Sequence, residues 1–404
     1  QSYGNLFTLN VAGKAMTFMF DYDLFDVFFA PSKSNQVAVD SSGHAATAND
    51  GTLSSSKNKV VDAVSFDHGV QEFTARVFGL PTEQFLDEHH VLLTSLRTAI
   101  APSTGLPTYM TRLHEYLLKE LDEKFAQTQR VDDLFELVSE VLFFSSVRSL
   151  FGTKFFESLG TMSLSSVAEK KNSDDKREYN MFKKFDQWFE LAASGSVPHR
   201  FLPGFLQSKD GLLSILTQLR SDMDNGDGST DSYKLFETLL ISLEKNCRSN
   251  VSETEFDERS KMHTYWGLAL LWASQANSLP ATFWTLAHLL NNDECMEQVK
   301  KEIEQVLSPQ SEDTGSDLNT STTQQLYSPD RFPYLTACVK EGIRLQAPGI
   351  MIRKVCRPVK LSTTTLNGSP VTYIVPKGHT LCISPYVIHR DEAVFVQAEK
   401  FNPN

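Results

Sequence analysis

Glu341 and Arg344 stand three positions apart in a stretch from about Phe332 to Leu345 whose apolar residues recur with helical spacing. On a solvated helix such a pair contributes only a few tenths of a kcal/mol. The neighbours here argue for another setting. Tyr334, Cys338, Glu341 and Leu345 fall on one stripe and Leu335, Val339 and Ile343 on the next, so the helix is apolar on most sides. A carboxylate placed there must be paired and hydrogen-bonded to stay charged. Its two oxygens accept more donors than one guanidinium fork supplies, which predicts a third, cationic partner.

A second polar group interrupts an apolar run. From His263 to Asn292 there is no Asp, Glu, Lys or Arg, yet Ser274-Gln275-Ala276-Asn277-Ser278 sits in the middle, just before Pro280. Membrane-spanning helices rarely carry such groups at mid-depth, so the run predicts a helix buried in protein. Pro280 has no N–H, the Ala276 carbonyl loses its helical partner, and the helix should kink there. Asn277 beside that carbonyl offers both a donor and an acceptor. Either a small polar ligand or water is held at the opening, or a neighbouring backbone satisfies the amide.

Arg97, Arg353 and Lys354 are cations suited to an acidic group, though each taken alone reads as solvated. The ten histidines form no HExxH pair, and no GxSxG, Walker loop or GxGxxG occurs. His389-Arg390-Asp391 reads as a polar turn after a strand. The five cysteines, at 247, 295, 338, 356 and 382, form no CxxC and fit reduced thiols on the cytosolic side.

The elements that must hold these groups are mostly helical. The 404 residues are 41% hydrophobic and 22% charged, a globular composition. Phenylalanine reaches 28, which points to a thick apolar interior or a greasy pocket. A net charge of −12 disfavours nucleic acid, whose phosphates need clustered Lys and Arg. Residues 6–20 read as a hairpin joined at Gly13, with a helix starting near Asp23. Residues 40–59 read as a loop, 82–192 as helical, and 222–232 and 308–328 as polar insertions in one domain. Ile350-Met351-Ile352, Val371–Val375 and Thr380–Ile383 are β-rich, and Asn367-Gly368 favours a tight hairpin turn. The expected class is mainly α with a small β region, α+β in wiring.

Taken in order, these residues resemble the cytochrome P450 superfamily of haem-thiolate monooxygenases. Tyr3-Gly4, Phe7 and Gly13 resemble the entry to its first sheet, and the kinked run resembles its central helix. Glu341-Gly342-Ile343-Arg344 matches its Glu-x-x-Arg pair, followed by Pro376-Lys377-Gly378, His389-Arg390-Asp391 and Phe401-Asn402-Pro403. Leu271 to Trp284 is similar to the branch of sterol 7α-hydroxylases and prostacyclin synthases. Arg344-Leu345-Gln346-Ala347-Pro348-Gly349 with Ile352-Arg353-Lys354-Val355 points within it to the 24-hydroxycholesterol (oxysterol) 7α-hydroxylases. Most of the superfamily carries an acid and a threonine where this chain has Ala276 and Asn277.

The resemblance implies a haem b cofactor, with Arg97 and Arg353 on its propionates and Ala273 against it. It implies Asn277 and Ser278 as the polar pair at the oxygen-binding kink, and Ala276, Ile350 and Met351 lining the substrate pocket. The implied reaction is hydroxylation of a sterol or oxysterol C–H, fed by O2 and an NADPH-cytochrome P450 reductase at the cytosolic face of the endoplasmic reticulum membrane. The family's axial cysteine loop has no counterpart around any of the five cysteines. It is expected past Asn404, as is the third cation near Glu341, and a membrane anchor is expected before Tyr3. On that reading residues 1–404 are a P450 fold incomplete at both ends, and by themselves neither bind haem in the family's manner nor turn over. The alternatives are a reductase-independent isomerase of the prostacyclin synthase kind and a haem-free helical lipid binder.

Overall fold

Gly13 adopts a φ of +78°, which its missing Cβ permits, and turns Leu6–Val11 (β1) back onto Lys14–Met19 (β2). This hairpin, expected from the sequence, opens the chain in the computed structural model, which describes residues 5–11, 13–29, 63–101, 105–126, 130–157, 176–224, 235–308, 328–347, 349–364 and 368–404. Tyr3, Gly4, Pro348, Asn367, the loop 40–59 and most of the two polar insertions lie outside them. The chain divides into two compact units, residues 1–72 with 347–400 and residues 73–346 with 401–404.

The first unit is built on strands. After the helix Phe25–Phe29 (α1) come Val64–Ser65 (β3), Met351–Val355 (β4), Val359–Thr364 (β5), Pro370–Val375 (β6) and Thr380–Ile383 (β7). One sheet has the order β1-β2-β7-β4-β3, with β2 parallel to β7 and the other pairs antiparallel. The β5–β6 hairpin turns at Gly368, φ +76°. Its first strand is the element the sequence reading passed over, so the partner of Val371–Val375 is β5 rather than the segment after Gly349. Val359, Leu361 and Val375 point inward with Leu6, Met19, Phe28, Leu381 and Ile383 to form the core.

The second unit is helical. The helix Asp67–Phe78 (α2) begins in the first unit and ends in this one. Next come Thr82–Ala99 (α3), Leu106–Phe125 (α4), Leu134–Phe151 (α5), Arg177–Gln187 (α6), Phe189–Ser194 (α7), Phe205–Asp224 (α8), Leu235–Asn250 (α9) and Glu253–Lys261 (α10). His263–Ala276 (α11), Ser278–Leu290 (α12), Asp293–Leu307 (α13) and Pro333–Gln346 (α14) complete it. Helix α5 starts where Asp133 accepts the Glu136 N–H at 2.9 Å and stops at Gly152, φ +85°. The phenylalanines go mainly into this interior. Phe143, Phe155, Phe185, Phe205 and Phe236 are fully buried, each contributing roughly 1.5–3 kcal/mol. Phe189 stacks on Trp272 with ring centres 3.7 Å apart. Among the described residues no helix is long and apolar enough to cross a membrane.

Candidate functional site

Pro280 breaks the central helix where its missing N–H requires. Helix α11 ends at Ala276, Asn277 forms a turn, and α12 resumes with the Ala281 N–H on the Asn277 carbonyl at 3.2 Å. Seven of the fourteen residues of α11 are buried, but the break is open. Ala273, Asn277 and Ser278 are exposed and Ala276 is half-buried. The Asn277 amide bonds no described residue, so it is not satisfied by a neighbouring backbone. Ser278 differs: its hydroxyl donates to the Ser274 carbonyl at 2.6 Å. Behind the break, fully buried Gln275 donates to Ser146 of α5 at 2.8 Å, while its own Oε1 finds no partner among the described residues. That amide pins the kink. The sequence reading counted Gln275 only as one polar residue in a run, because its partner is 129 positions away.

Helix α14 carries the ion pair. The Glu302 carboxylate of α13 accepts the Tyr334 and Leu335 N–H groups at 2.8 and 2.9 Å and so fixes its first turn. Cys338 packs with Leu289, Cys295 and Val299. Arg344 then grips Glu341 by a two-pronged fork, Nε to Oε2 at 2.7 Å and Nη2 to Oε1 at 2.8 Å. Their side chains keep only 9% and 13% exposure. A third donor is the Asn402 N–H, a backbone group 2.9 Å from Oε1. Burial pushes the Glu341 carboxyl up, but the Arg344 fork, the Asn402 N–H and the Arg344 charge outweigh it and hold the group below the usual range. His288 lies within reach of that charge, stacked on Phe401 with ring centres 4.7 Å apart. Burial holds the imidazole below its ordinary value against the pull of Glu341. The second apolar stripe of the helix is covered only at Leu335, which packs on the Cys338 cluster, while Val339 and Ile343 are exposed.

Helices α12 and α14 meet at Gly342. A Cβ there would lie 2.9 Å from Thr285 Oγ1 and 3.3 Å from its Cα, and the latter cannot swing aside. Gly342→Val is therefore expected to cost about 2–3 kcal/mol by overpacking, read as a lower urea midpoint with unchanged slope. A loss within measurement error would mean the helices separate freely.

The remaining predicted residues are spread over both units. Arg97 is exposed in the last turn of α3. In the strand unit Arg353 lies between aromatic rings, its guanidinium 4.5 Å from Phe28 and 4.7 Å from Phe66, and donates to its neighbour's carbonyl. Lys354 pairs with Glu72 at 3.8 Å. Met351 packs on the sheet core and Ile350 is exposed. His389-Arg390-Asp391 is a turn network: Arg390 bonds Glu399 at 3.1 Å, and Asp391 accepts from Tyr22 at 2.6 Å.

A flat macrocycle needs a helix face of small side chains that lets it approach the backbone. Ala273, Ala276 and Asn277 at the open break present one, while bulky Leu271 is fully buried and Trp272 stacks on Phe189 and donates to Asp186. An axial thiolate is a separate requirement, and the described cysteines do not supply it. Cys247, Cys295, Cys338 and Cys382 are packed in cores and Cys356 is half-buried beside its own strand. Burial pushes the Cys338 and Cys382 thiols up to about 11 and about 12.

Comparison with known proteins follows the same lines. The sequence model for the family described as Cytochrome P450 matches residues 72–404. The chain is 26% identical over 402 residues to human 24-hydroxycholesterol 7-alpha-hydroxylase, covering 99% of this chain and 70% of that protein. It is 28% identical over 228 residues to the Mus musculus protein of the same name, 56% of this chain and 42% of that one. Cholesterol 7-alpha-monooxygenase of Cricetulus griseus matches at 26% over 219 residues, 54% of this chain and 39% of that one. A solved structure of a zebra fish cytochrome P450 with progesterone superposes with a TM-score of 0.62 at 15% identity, over 99% of this chain and 79% of that one.

Proposed function

The chain belongs to the cytochrome P450 family, the haem-iron monooxygenases, and from that premise we propose that it serves the 7α-hydroxylation of an oxysterol of the 24-hydroxycholesterol kind. One oxygen atom of O2 enters the C–H bond, and the other leaves as water with two electrons and two protons. The electrons come from NADPH through a reductase. The haem iron, when bound, supplies the oxygen activation, and the protein positions one carbon and manages protons. The observation that carries the reading is the exposed, unengaged Asn277 amide at the helix break, with small Ala273 and Ala276 beside it.

An amide is no acid at neutral pH, so Asn277 acts by holding water at its side-chain oxygen and N–H. Ser278 has already committed its hydroxyl proton to the Ser274 carbonyl, so it contributes only its oxygen as an acceptor. A rigid apolar sterol suits a site read by shape with few polar contacts. We place the protein at the cytosolic face of the endoplasmic reticulum membrane, where such a reductase and substrate meet. Phe201 and Leu206, 63% and 41% exposed beside buried Leu202 and Phe205, support an apolar loop that dips into lipid. The axial thiolate is assigned to none of the five cysteines described above.

The test is the full-length protein with reductase, NADPH and 24-hydroxycholesterol. The 7α-hydroxylated sterol should form only with both electron components present. Asn277→Ala should lower turnover about tenfold, the worth of one hydrogen bond of roughly 1.4 kcal/mol, while NADPH consumption continues. Reductase-independent rearrangement of a peroxide substrate would sink the hydroxylase reading in favour of an isomerase.

A further inference from the structure

Away from the helix break, three helices bring a polar cluster into the core. Gln84 and Glu88, four apart, share a face of α3, and His263 and Trp266, three apart, share a face at the start of α11. Cys247 comes from α9, which packs on α3. Glu88 is 1% exposed, His263 0% and Cys247 3%. The Glu88 carboxylate accepts from Gln84 Nε2 at 3.0 and 3.1 Å and from Trp266 Nε1 at 2.7 Å. His263 Nε2 lies 3.1 Å from Oε1 of the same carboxylate. A carboxylate only accepts, so Nε2 carries the proton of this bond. Nδ1 of the same ring is buried with no hydrogen-bond partner among the described residues, free to take up that proton.

The proton between Nε2 and Oε1 marks where a cation can sit: a metal ion between the two atoms takes the proton's place, since ligation requires a deprotonated nitrogen and an ionised carboxylate. The carboxylate, the thiol and the imidazole each offer a ligand atom, and the three atoms lie within 4.8 Å of one another. We propose that Glu88, Cys247 and His263 form a binding site for a zinc-class divalent cation, which ties α3 and α9 to the start of the kinked helix. Imidazole, thiolate and carboxylate together select a borderline-soft ion over magnesium or calcium. Tetrahedral bonds of about 2.0–2.3 Å set ligand atoms roughly 3.3–3.8 Å apart, so loading draws the three side chains inward by about an ångström. On loading, the Cys247 S–H bond breaks, its electron pair forms the S–metal bond and the proton leaves to solvent, while the Nε2 proton of His263 moves to Nδ1 and frees the Nε2 lone pair for the metal.

The experiment is zinc binding to the purified full-length protein, with zinc counted by elemental analysis apart from haem iron. The expected result is one zinc per chain, and a zinc-edge X-ray absorption spectrum with one sulfur at about 2.3 Å beside nitrogen and oxygen at about 2.0 Å. Cys247→Ala should lose the sulfur signal and at least tenfold in affinity, whereas Cys295→Ala keeps both. Zinc should also raise the unfolding midpoint of the wild type and not of Cys247→Ala. No zinc retained at micromolar free metal, a wild-type spectrum without sulfur, or full retention by Cys247→Ala would each overturn the assignment. The wild-type spectrum decides alone should the variant fail to fold.

Discussion

Glu341→Ala should lower the folding stability of the chain by about 3–5 kcal/mol, the cost of leaving one member of a buried ion pair without the other. The expectation rests on position more than on charge. Arg344 keeps only 9% side-chain exposure, so its guanidinium cannot turn to water for the donors that Glu341 now receives. The Asn402 N–H would lose its acceptor as well. Arg344→Ala should cost a similar amount, because the carboxylate then stands unpaired. Replacing both by apolar residues of like volume should recover much of the loss, since two charges are then no longer desolvated. Urea unfolding of the three variants measures this, and a Glu341→Ala loss near that of a surface pair, under about 1 kcal/mol, would mean that the pair is solvated.

The same pair makes a pH signature. The Glu341 carboxyl is held below its ordinary value in the folded chain, while unfolded it titrates near about 4.3. A lowered folded value adds stability that is fully present above the unfolded value and is lost as pH falls through the folded one. The stability gap between wild type and Glu341→Ala should therefore be widest at neutral pH. It should narrow steadily in acid below about 4. A gap unchanged down to that acid range would show that the carboxyl is not held low.

The ion pair was legible in the sequence because both partners lie within one helical turn, where spacing alone places them together. The kink was legible for the same reason: Pro280 acts on Ala276, four residues back in the same helix. The hairpin at Gly13 and the stop of α5 at Gly152 are likewise local, each a backbone angle that glycine permits. What escaped is long-range. The third donor to Glu341 is a main-chain N–H 61 positions away, and a backbone donor leaves no mark in residue type. Gln275 and Ser146 meet across two helices, and nothing in either local pattern announces the other. Strand β5 carries a weak signal, because its apolar alternation stops after Val359 and Leu361 and three polar residues, Ser362, Thr363 and Thr364, complete it. Exposed Ile343 shows the converse error: an apolar stripe says that a face is greasy, not that something covers it.

Glu88→Ala is the second large expectation, and it concerns the start of the central helix rather than its break. The substitution removes one acceptor group and strands two donors at once, the His263 imidazole and the Trp266 indole, while the Gln84 amide keeps only its bond to the Arg259 carbonyl at 3.1 Å. Each buried donor left unpaired costs about 1–3 kcal/mol. Some relief comes from water entering the space, so the sum should fall near 3–5 kcal/mol, comparable with breaking a buried pair. Glu88→Gln keeps one carbonyl oxygen in place and should lose less, about 1–2 kcal/mol. Trp266 reports locally, because its ring stacks on Phe85 with centres 5.4 Å apart and is held at its N–H by the carboxylate. Its fluorescence in Glu88→Ala should shift toward that of a hydrated indole before global unfolding begins. Equal stability of Glu88→Ala and wild type would mean the donors find other acceptors, and the clamp on α11 would have to lie elsewhere. Helix α11 runs without interruption from this cluster to Ala276, so a loosened start transmits to the position of Asn277. The stability loss and any loss of turnover in Glu88→Ala should accordingly appear together, with Glu88→Gln between it and the wild type on both measures.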